Sequence, residues 1–276
     1  MLEVTSLGSG SSGNAFLIRT QQTSLLLDCG VGIRRVTGAL AAGGLGIADI
    51  DAVLVSHEHS DHIRELPRFI AAGKRILCTA GSSAAARVPA TLWQESKPGK
   101  PVNLANLEII ALSVDHDAVE PCGFLIRSGS GSITVVTDLG CPSPAAAEAI
   151  AESHLVVLEA NHDVALLRRG PYPVHLQRRI LSDSGHLSND DCGALLATAL
   201  KRSSLLPTVW LAHLSDTNNR PALARQTVSR RLAHDGIRLD VQPLPRRDIG
   251  PTWRPGEGKP GIAQLSLGFA APDLFP

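Results

Sequence analysis

The stretch His57-Glu58-His59-Ser60-Asp61-His62, directly after the apolar run Ala52-Val53-Leu54-Val55, gathers three imidazoles and the Asp61 carboxylate within six residues. Core packing calls for no such density of metal-capable groups at the end of a strand. Neutral imidazole and carboxylate together suit borderline first-row cations such as zinc, and also manganese or iron. Alternate side chains of a strand share one face, so His57 and His59 reach one ion together. Asp61 and His62, on the turn that follows, address a second ion nearby.

Working outward, two ions need roughly seven protein ligands, so three more belong at other strand ends. His116 lies in Val114-Asp115-His116-Asp117, just beyond a strand expected over 104–112. Asp138 closes Val135-Val136-Thr137, and His213 ends Val209-Trp210-Leu211-Ala212. Each is a polar residue where an apolar strand stops, the place where α/β scaffolds put functional groups. Taken singly, such a His is more often a loop or cap residue and such an Asp a turn-former. The hexad shifts that balance, because its ions need more ligands than it supplies. Asp28 reads as structural, holding loop backbone near the site, and Cys141 as a minor candidate beside Asp138.

The chain has 276 residues, 43% of them hydrophobic and 19% charged, as in an ordinary globular enzyme. Its formal net charge is zero, so the bulk cationic field common among nucleic-acid binders is absent, though a local basic patch is compatible with that number. Five cysteines lack any C-x-x-C spacing, which favours reduced thiols over a disulfide framework. The N-terminus carries no basic and apolar leader, and no apolar run approaches the ~20 residues of a membrane span. A cytoplasmic protein without membrane association is expected.

Strands are expected over 2–7, 15–19, 24–28, 52–55, 75–79, 104–112, 123–126, 132–137, 155–159, 208–212 and 237–241. Helices are expected over 32–42, 63–72, 82–87, 144–153, 188–200 and 221–234. The Gly/Ser run 8–13 reads as a tight turn with free backbone N–H groups, 246–260 as a loop and 262–267 as a last strand. No repeat and no linker appear before residue 244. Residues 1–276 are therefore expected to form one α/β domain of two sheets with helices outside, with 243–260 as a loop or extension. The Gly/Ser run opens no helix, which argues against a doubly wound nucleotide fold.

His57-x-His59-x-Asp61-His62, the Gly/Ser turn after the first strand, Asp28, His116, Asp138 and His213 together resemble the metallo-β-lactamase-fold hydrolases, over residues 1 to about 215. The resemblance implies a four-layer αββα sandwich. It implies one ion held by His57, His59 and His116, another by Asp61, His62 and His213, and Asp138 bridging both. Zinc is the first expectation for the two divalent ions and manganese the second. Antibiotic-hydrolysing members generally have Cys where Asp138 stands, so β-lactam cleavage is not expected. Glu159-Ala160-Asn161-His162-Asp163 and Gly185-His186-Leu187-Ser188 resemble segments of the tRNA 3′-processing endonucleases. With Ser6–Asn14, 178–186 and Leu211-Ala212-His213-Leu214-Ser215-x-x-Asn218-Asn219, they are similar still more to the YycJ/WalJ-type bacterial exonucleases.

The implied activity is two-metal phosphodiester hydrolysis, with DNA favoured over RNA as substrate. Ions bridged by Asp138 share a water whose pKa falls toward about 7, giving a nucleophile at neutral pH. Asp61 belongs to that catalytic centre, His186 is the expected general acid and Glu159 the residue that fixes its tautomer. His162 and Asp163 are open to either catalysis or support of a ligand imidazole. Asn218, Asn219 and Arg220 are the best-placed phosphate clamps, with Arg168-Arg169, Arg178-Arg179, Arg225 and Arg230-Arg231 as further basic candidates. The alternative is a thioester or small-ester hydrolase of the glyoxalase II kind, which leaves Glu159 and His186 without a role.

Overall fold

The computed structural model describes residues 1–256. One sheet is built from β1 (Glu3–Gly10), β2 (Gly13–Arg19), β3 (Ser24–Leu27), β4 (Ala52–Leu54), β5 (Arg75–Cys78) and β6 (Trp93–Glu95). The other takes β7 (Pro101–Leu104), β8 (Leu107–Ser113), β9 (Cys122–Ser128), β10 (Gly131–Val136), β11 (Leu155–Glu159), β12 (Thr208–Ala212) and β13 (Val241–Pro243). A short β14 (Thr252–Trp253) returns to pair with β1, giving seven strands in each sheet. The helices are α1 (Ile33–Ala42), α2 (Ser60–Ile63), α3 (Leu66–Ala71), α4 (Ala80–Ala85), α5 (Pro144–Ala151), α6 (Val164–Arg169), α7 (Val174–Ile180), α8 (Asn189–Leu200) and α9 (Pro221–His234).

Strand periodicity builds the layers. In β2, Phe16 and Ile18 point to the core between the sheets, while Ala15 and Leu17 face the layer of α1 and α3. In β12, Trp210 and Ala212 join the same inner core, whereas Val209 and Leu211 pack under α5, α8 and α9. Strands buried on both faces read as continuous apolar runs such as Leu155-Val156-Val157-Leu158, and these pair in parallel. The result is the four-layer αββα sandwich expected from the sequence.

Local boundaries differ where turn chemistry was hidden. The single strand expected over 104–112 is a hairpin of β7 and β8, closed by a two-residue turn in which Ala105 adopts φ 50°. Ala-Asn is a weak hairpin signal compared with Asn-Gly. The helix over 63–72 is two short helices broken at 64–65, with Pro67 starting the second. The strand over 237–241 begins only at Val241, and the loop over 246–260 contains β14. β6, α6 and α7 had no sequence signal that was recognised. The strand expected over 262–267 lies outside the described residues. Among those described, no helix is long and apolar enough to cross a membrane.

Candidate metal and catalytic site

The strands β3, β4, β8, β10, β11 and β12 deliver Asp28, His57, His116, Asp138, Glu159 and His213 to one edge of the sandwich. The hexad continues from β4: His59 precedes α2, and Asp61 and His62 lie on its single turn. Donor atoms of His57, His59 and His116 lie within 4.8 Å of one another, as do those of Asp61, His62 and His213. Asp138 stands between the groups, 3.0 Å from His62 Nε2 and 3.7 Å from His116 Nε2. The structure thus brings together all seven residues picked out as ligands.

The outer hydrogen bonds fix which ring atom faces inward. His62 Nδ1 donates to Asp28 Oδ2 at 2.7 Å, His116 Nδ1 to the Gly185 carbonyl at 2.9 Å, and His213 Nδ1 to Glu159 Oε1 at 2.7 Å. Carboxylates and carbonyls only accept, so each Nδ1 carries a proton and each Nε2 is the atom turned toward the centre, the one that would ligate a cation once deprotonated. His57 Nδ1 likewise meets Ser56 Oγ at 3.1 Å. His59 is turned the other way, with Nδ1 3.3 Å from His116 Nε2.

Divalent cations fit this donor set. His57 Nε2 is buried with no hydrogen-bond partner, and Asp138 Oδ2 makes none of good geometry although His62 Nε2 lies 3.0 Å away, an arrangement that a cation would relieve. Burial lowers the His57 pKa well below its usual value, aided by His62, which keeps the ring neutral and able to ligate. Burial also acts on His213 and His62, but Asp138 and its neighbouring carboxylates outweigh it; His213 is raised to about 10. Asp138 itself is driven well below the carboxylate range: burial opposes this, and His213 and His62 prevail. Such a nest of carboxylates attracts positive charge.

Glu159 ties the second half of the site together. Its Oε1 accepts from His213 Nδ1 and from His186 Nδ1 at 2.9 Å, while Oε2 accepts from the Leu139 and Leu187 amides. Against its complete burial, His186 and His213 hold its pKa at about 2. The His186 pKa is raised because Glu159, by charge and hydrogen bond, overcomes burial. His186 retains 24% side-chain exposure, so part of its ring is open to solvent.

Several sequence expectations are corrected here. Asn218 and Asn219 are buried, and Asn219 Nδ2 is spent on the Ala160 and Asn161 carbonyls and Asn189 Oδ1, so neither stands exposed as a phosphate clamp. Arg220, unlike the two asparagines, is exposed as a phosphate clamp requires, with Nη1 donating to the Asn219 carbonyl at 2.7 Å. Asp163 caps α6, and both ring nitrogens of His162 are buried without partners, its pKa lowered to about 4 by burial. Neither supports a ligand ring; Glu159 does that work. Cys141 bonds Asp115 and belongs to none of the ligand groups among the described residues.

The sequence reading missed Asn14 and Ser56. Asn14 Nδ2 lies 3.1 Å from His62 Nε2, while its Oδ1 accepts from Ser9 Oγ; that hydroxyl in turn accepts from the His213 amide. Ser56, one residue before the hexad, sends both its amide and its hydroxyl to Asp28.

A family model described as the beta-lactamase superfamily domain matches residues 23–210. The chain belongs to the metallo-β-lactamase superfamily. It is a hydrolase of that superfamily, similar over most of its length to two bacterial proteins. The exodeoxyribonuclease WalJ of Streptococcus pneumoniae is 35% identical over 244 residues, covering 85% of this chain and 90% of that protein. The exodeoxyribonuclease YycJ of Bacillus anthracis is 32% identical over 245 residues, covering 86% and 91%. Among solved structures, the metallo-β-lactamase-fold protein YhfI from Bacillus subtilis superposes with a TM-score of 0.69 at 18% identity, over 91% of this chain and 98% of that one, which speaks for the fold alone.

Proposed function

We propose that this chain is a two-metal exodeoxyribonuclease, a single domain working on DNA in the cytoplasm. The observation that carries the reading is the shared carboxylate of Glu159, which holds His186 and His213 on one oxygen beside Asp138. A metal cage alone serves many hydrolases, but a second, solvent-reachable imidazole set beside it suits a reaction whose leaving oxygen needs a proton. The names of the two bacterial relatives favour DNA as the substrate, and five unpaired cysteines go with a reducing compartment.

In this reading His57, His59 and His116 would hold one divalent ion and Asp61, His62 and His213 the other, with Asp138 available to both; zinc is favoured, with manganese the alternative. Bound there, the ions supply Lewis acidity to the phosphodiester and ionise water at neutral pH. The protein's own residues do the rest. Asp28, Glu159, Ser56 and the Gly185 carbonyl lock the ligand rings in their ligating tautomers. Glu159 keeps His186 protonated, and His186 Nε2 delivers its proton to the departing sugar oxygen as general acid.

The test is incubation of purified protein, with manganese or zinc, against end-labelled duplex DNA and against a glutathione thioester. Progressive DNA shortening that H59A abolishes is the expected result. Thioester turnover with intact DNA overturns the reading.

A further inference from the structure

Beyond the metal cradle and the His186 arm, the turn after His213 carries a cationic cluster that the proposed reaction does not use. Arg246 lies along that turn, its Nε donating to the Leu214 carbonyl at 2.8 Å and its Nη2 to the Ser215 carbonyl at 2.6 Å. Arg247 reaches over the same turn to Asp216 Oδ2 at 2.8 Å, and Arg246 Nε stands 3.3 Å from Asp216 Oδ1. Arg220 hydrogen-bonds to the carbonyls of Asp216, Thr217 and Asn219, the last of which Arg246 Nη2 also reaches at 3.2 Å. Two guanidinium groups thus share the Asp216 carboxylate, and a third holds the carbonyls of the same turn. Their mutual repulsion is felt at Arg246, whose pKa is lowered, by burial first and by Arg220 and Arg247 as well, although Asp216 opposes.

The same place is the start of α9, a helix of 14 residues with Arg220 at its N-cap position, no side-chain cap and no acidic residue in its first turn. Its leading N–H groups and the positive end of its dipole therefore add to the guanidinium charge. The cluster is also fixed relative to the cradle. The turn it grips begins at His213, whose Nε2 is 3.3 Å from Asp61 Oδ2. Across from it, a Cβ placed on Gly10 would meet Arg246 Cγ at 3.1 Å, so Arg246 is wedged between that turn and the Gly/Ser turn.

We propose that Arg220, Arg246 and Arg247, with the first turn of α9, form a phosphate-binding site that holds a nucleic-acid strand beside the cleavage centre. This rests on the nuclease reading and deepens it. Arg246 braces the turn, while Arg220 and Arg247, both exposed, present their remaining N–H donors outward. Because the segment 214–219 separates the cluster from the cradle, a ligand touching both must carry more than one phosphate, as a polynucleotide does. A terminal monoester and an internal diester offer the same oxygens, and both are accommodated.

The experiment is fluorescence anisotropy of the metal-loaded protein with a 3′-labelled phosphorothioate single strand, which resists hydrolysis, in 5′-phosphate and 5′-hydroxyl forms across a salt series. Each single-strand phosphate contact contributes about 0.7 to the slope of log affinity against log salt, so R220Q/R247Q is expected to flatten it by about 1.4 and R247Q alone by about 0.7. The charge-matched R19Q/R127Q, altered at strand ends far from the cradle, keeps the parental slope. Loss confined to the 5′-phosphate strand assigns a terminal monoester; equal loss on both strands assigns internal diesters. A parental slope in R220Q/R247Q, or the same flattening in R19Q/R127Q, overturns the site. If the parent degrades DNA and R220Q/R247Q keeps its slope, the site alone falls; a parent that neither cuts nor binds DNA sinks the nuclease reading and the site together.

Discussion

Replacing Gly30 by alanine tests whether the ligands proposed for a second ion depend on one close backbone approach. A Cβ at Gly30 would stand 1.6 Å from the Asp61 carbonyl oxygen, 2.1 Å from its carbon and 2.7 Å from the His62 nitrogen. Reaching the 3.0 Å that real contacts respect requires a retreat of about 1.4 Å by backbone, not by a flexible side-chain tip. The retreat cannot be absorbed locally, because Cys29 and Glu65 bond across the same turn, the Cys29 amide to the His62 carbonyl at 2.7 Å and the Glu65 amide to the Cys29 carbonyl at 3.0 Å. Metal–ligand distances tolerate only about 0.2 Å, so Asp61 and His62 leave coordination range together. Overpacking of this kind costs about 1–3 kcal/mol, a fall of roughly 2–12 °C in melting temperature for a chain of this size. The G30A protein should therefore hold one divalent ion per chain instead of two by elemental analysis and degrade end-labelled DNA at least about 100-fold more slowly. Gly32, where an added Cβ meets nothing within 4 Å, supplies the control: G32A should match the parent in both readings. A G30A protein with full metal content and the parental rate refutes the reasoning.

H186A should lose about 10²–10⁴-fold in turnover while keeping its metal, since the ring holds no ligand position in the proposed scheme; elemental analysis and single-turnover DNA cleavage check both halves. E159Q removes the charge that raises the His186 pKa above its ordinary value. A raised pKa keeps the acid form to higher pH than a free imidazole would hold it, and the form is lost as pH climbs past that value. The alkaline limb of kcat/KM should therefore shift to lower pH in E159Q, with a loss of about 10–100-fold at the optimum; an unmoved limb rejects the Glu159–His186 coupling. D28N replaces an oxygen that accepts from His62 Nδ1 and from Ser56, and should weaken metal binding about 10–100-fold in a competitive chelator titration.

What could be read from the sequence follows from the range of each signal. The hexad is local, and the strand-end positions of His116, Asp138 and His213 show up as single polar residues where an apolar run stops, so the seven-residue convergence was legible before any coordinates. The periodic strands β11 and β12 and the helix α9 had the boundaries expected of them, since both faces or a full helical stripe repeat the message. Asn218 and Asn219 failed because neighbourhood in sequence to His213 says nothing of burial: both are buried, and Asn219 ties Asn189 of α8 and the Ala160 carbonyl after β11 to the turn. His162 failed for the same reason, sitting one layer behind Glu159. Arg246 and Arg247 lie in a segment dismissed as a loop, and only the fold brings them to the far side of residues 214–216.

The backbone carries an independent mark of the same centre. Asp28, Asp138 and His213 adopt φ of 56°, 55° and 53°, each just past the end of a strand and all at one edge of the sandwich. A left-handed residue other than glycine costs roughly 1–2 kcal/mol, so three together represent about 3–6 kcal/mol, a sizeable share of the 5–15 kcal/mol that holds a typical domain folded. Glycine would relieve the strain at every one of these positions but would remove the side chain. Strand residues point above or below the sheet, whereas one left-handed residue beyond the last ladder bond breaks that alternation and lets the side chain lie across the sheet edge. The compensation is local: Asp28 takes three hydrogen bonds from Ser56 and His62, and the His213 amide is held by Ser9 Oγ. Of the other two non-glycine residues with positive φ among the described residues, Arg87 follows α4 and Ala105 closes a hairpin, where turn geometry alone accounts for them. Strain of no structural use, repeated in both sheets and aimed at one point, is retained because the position of those three side chains matters more than the stability it costs.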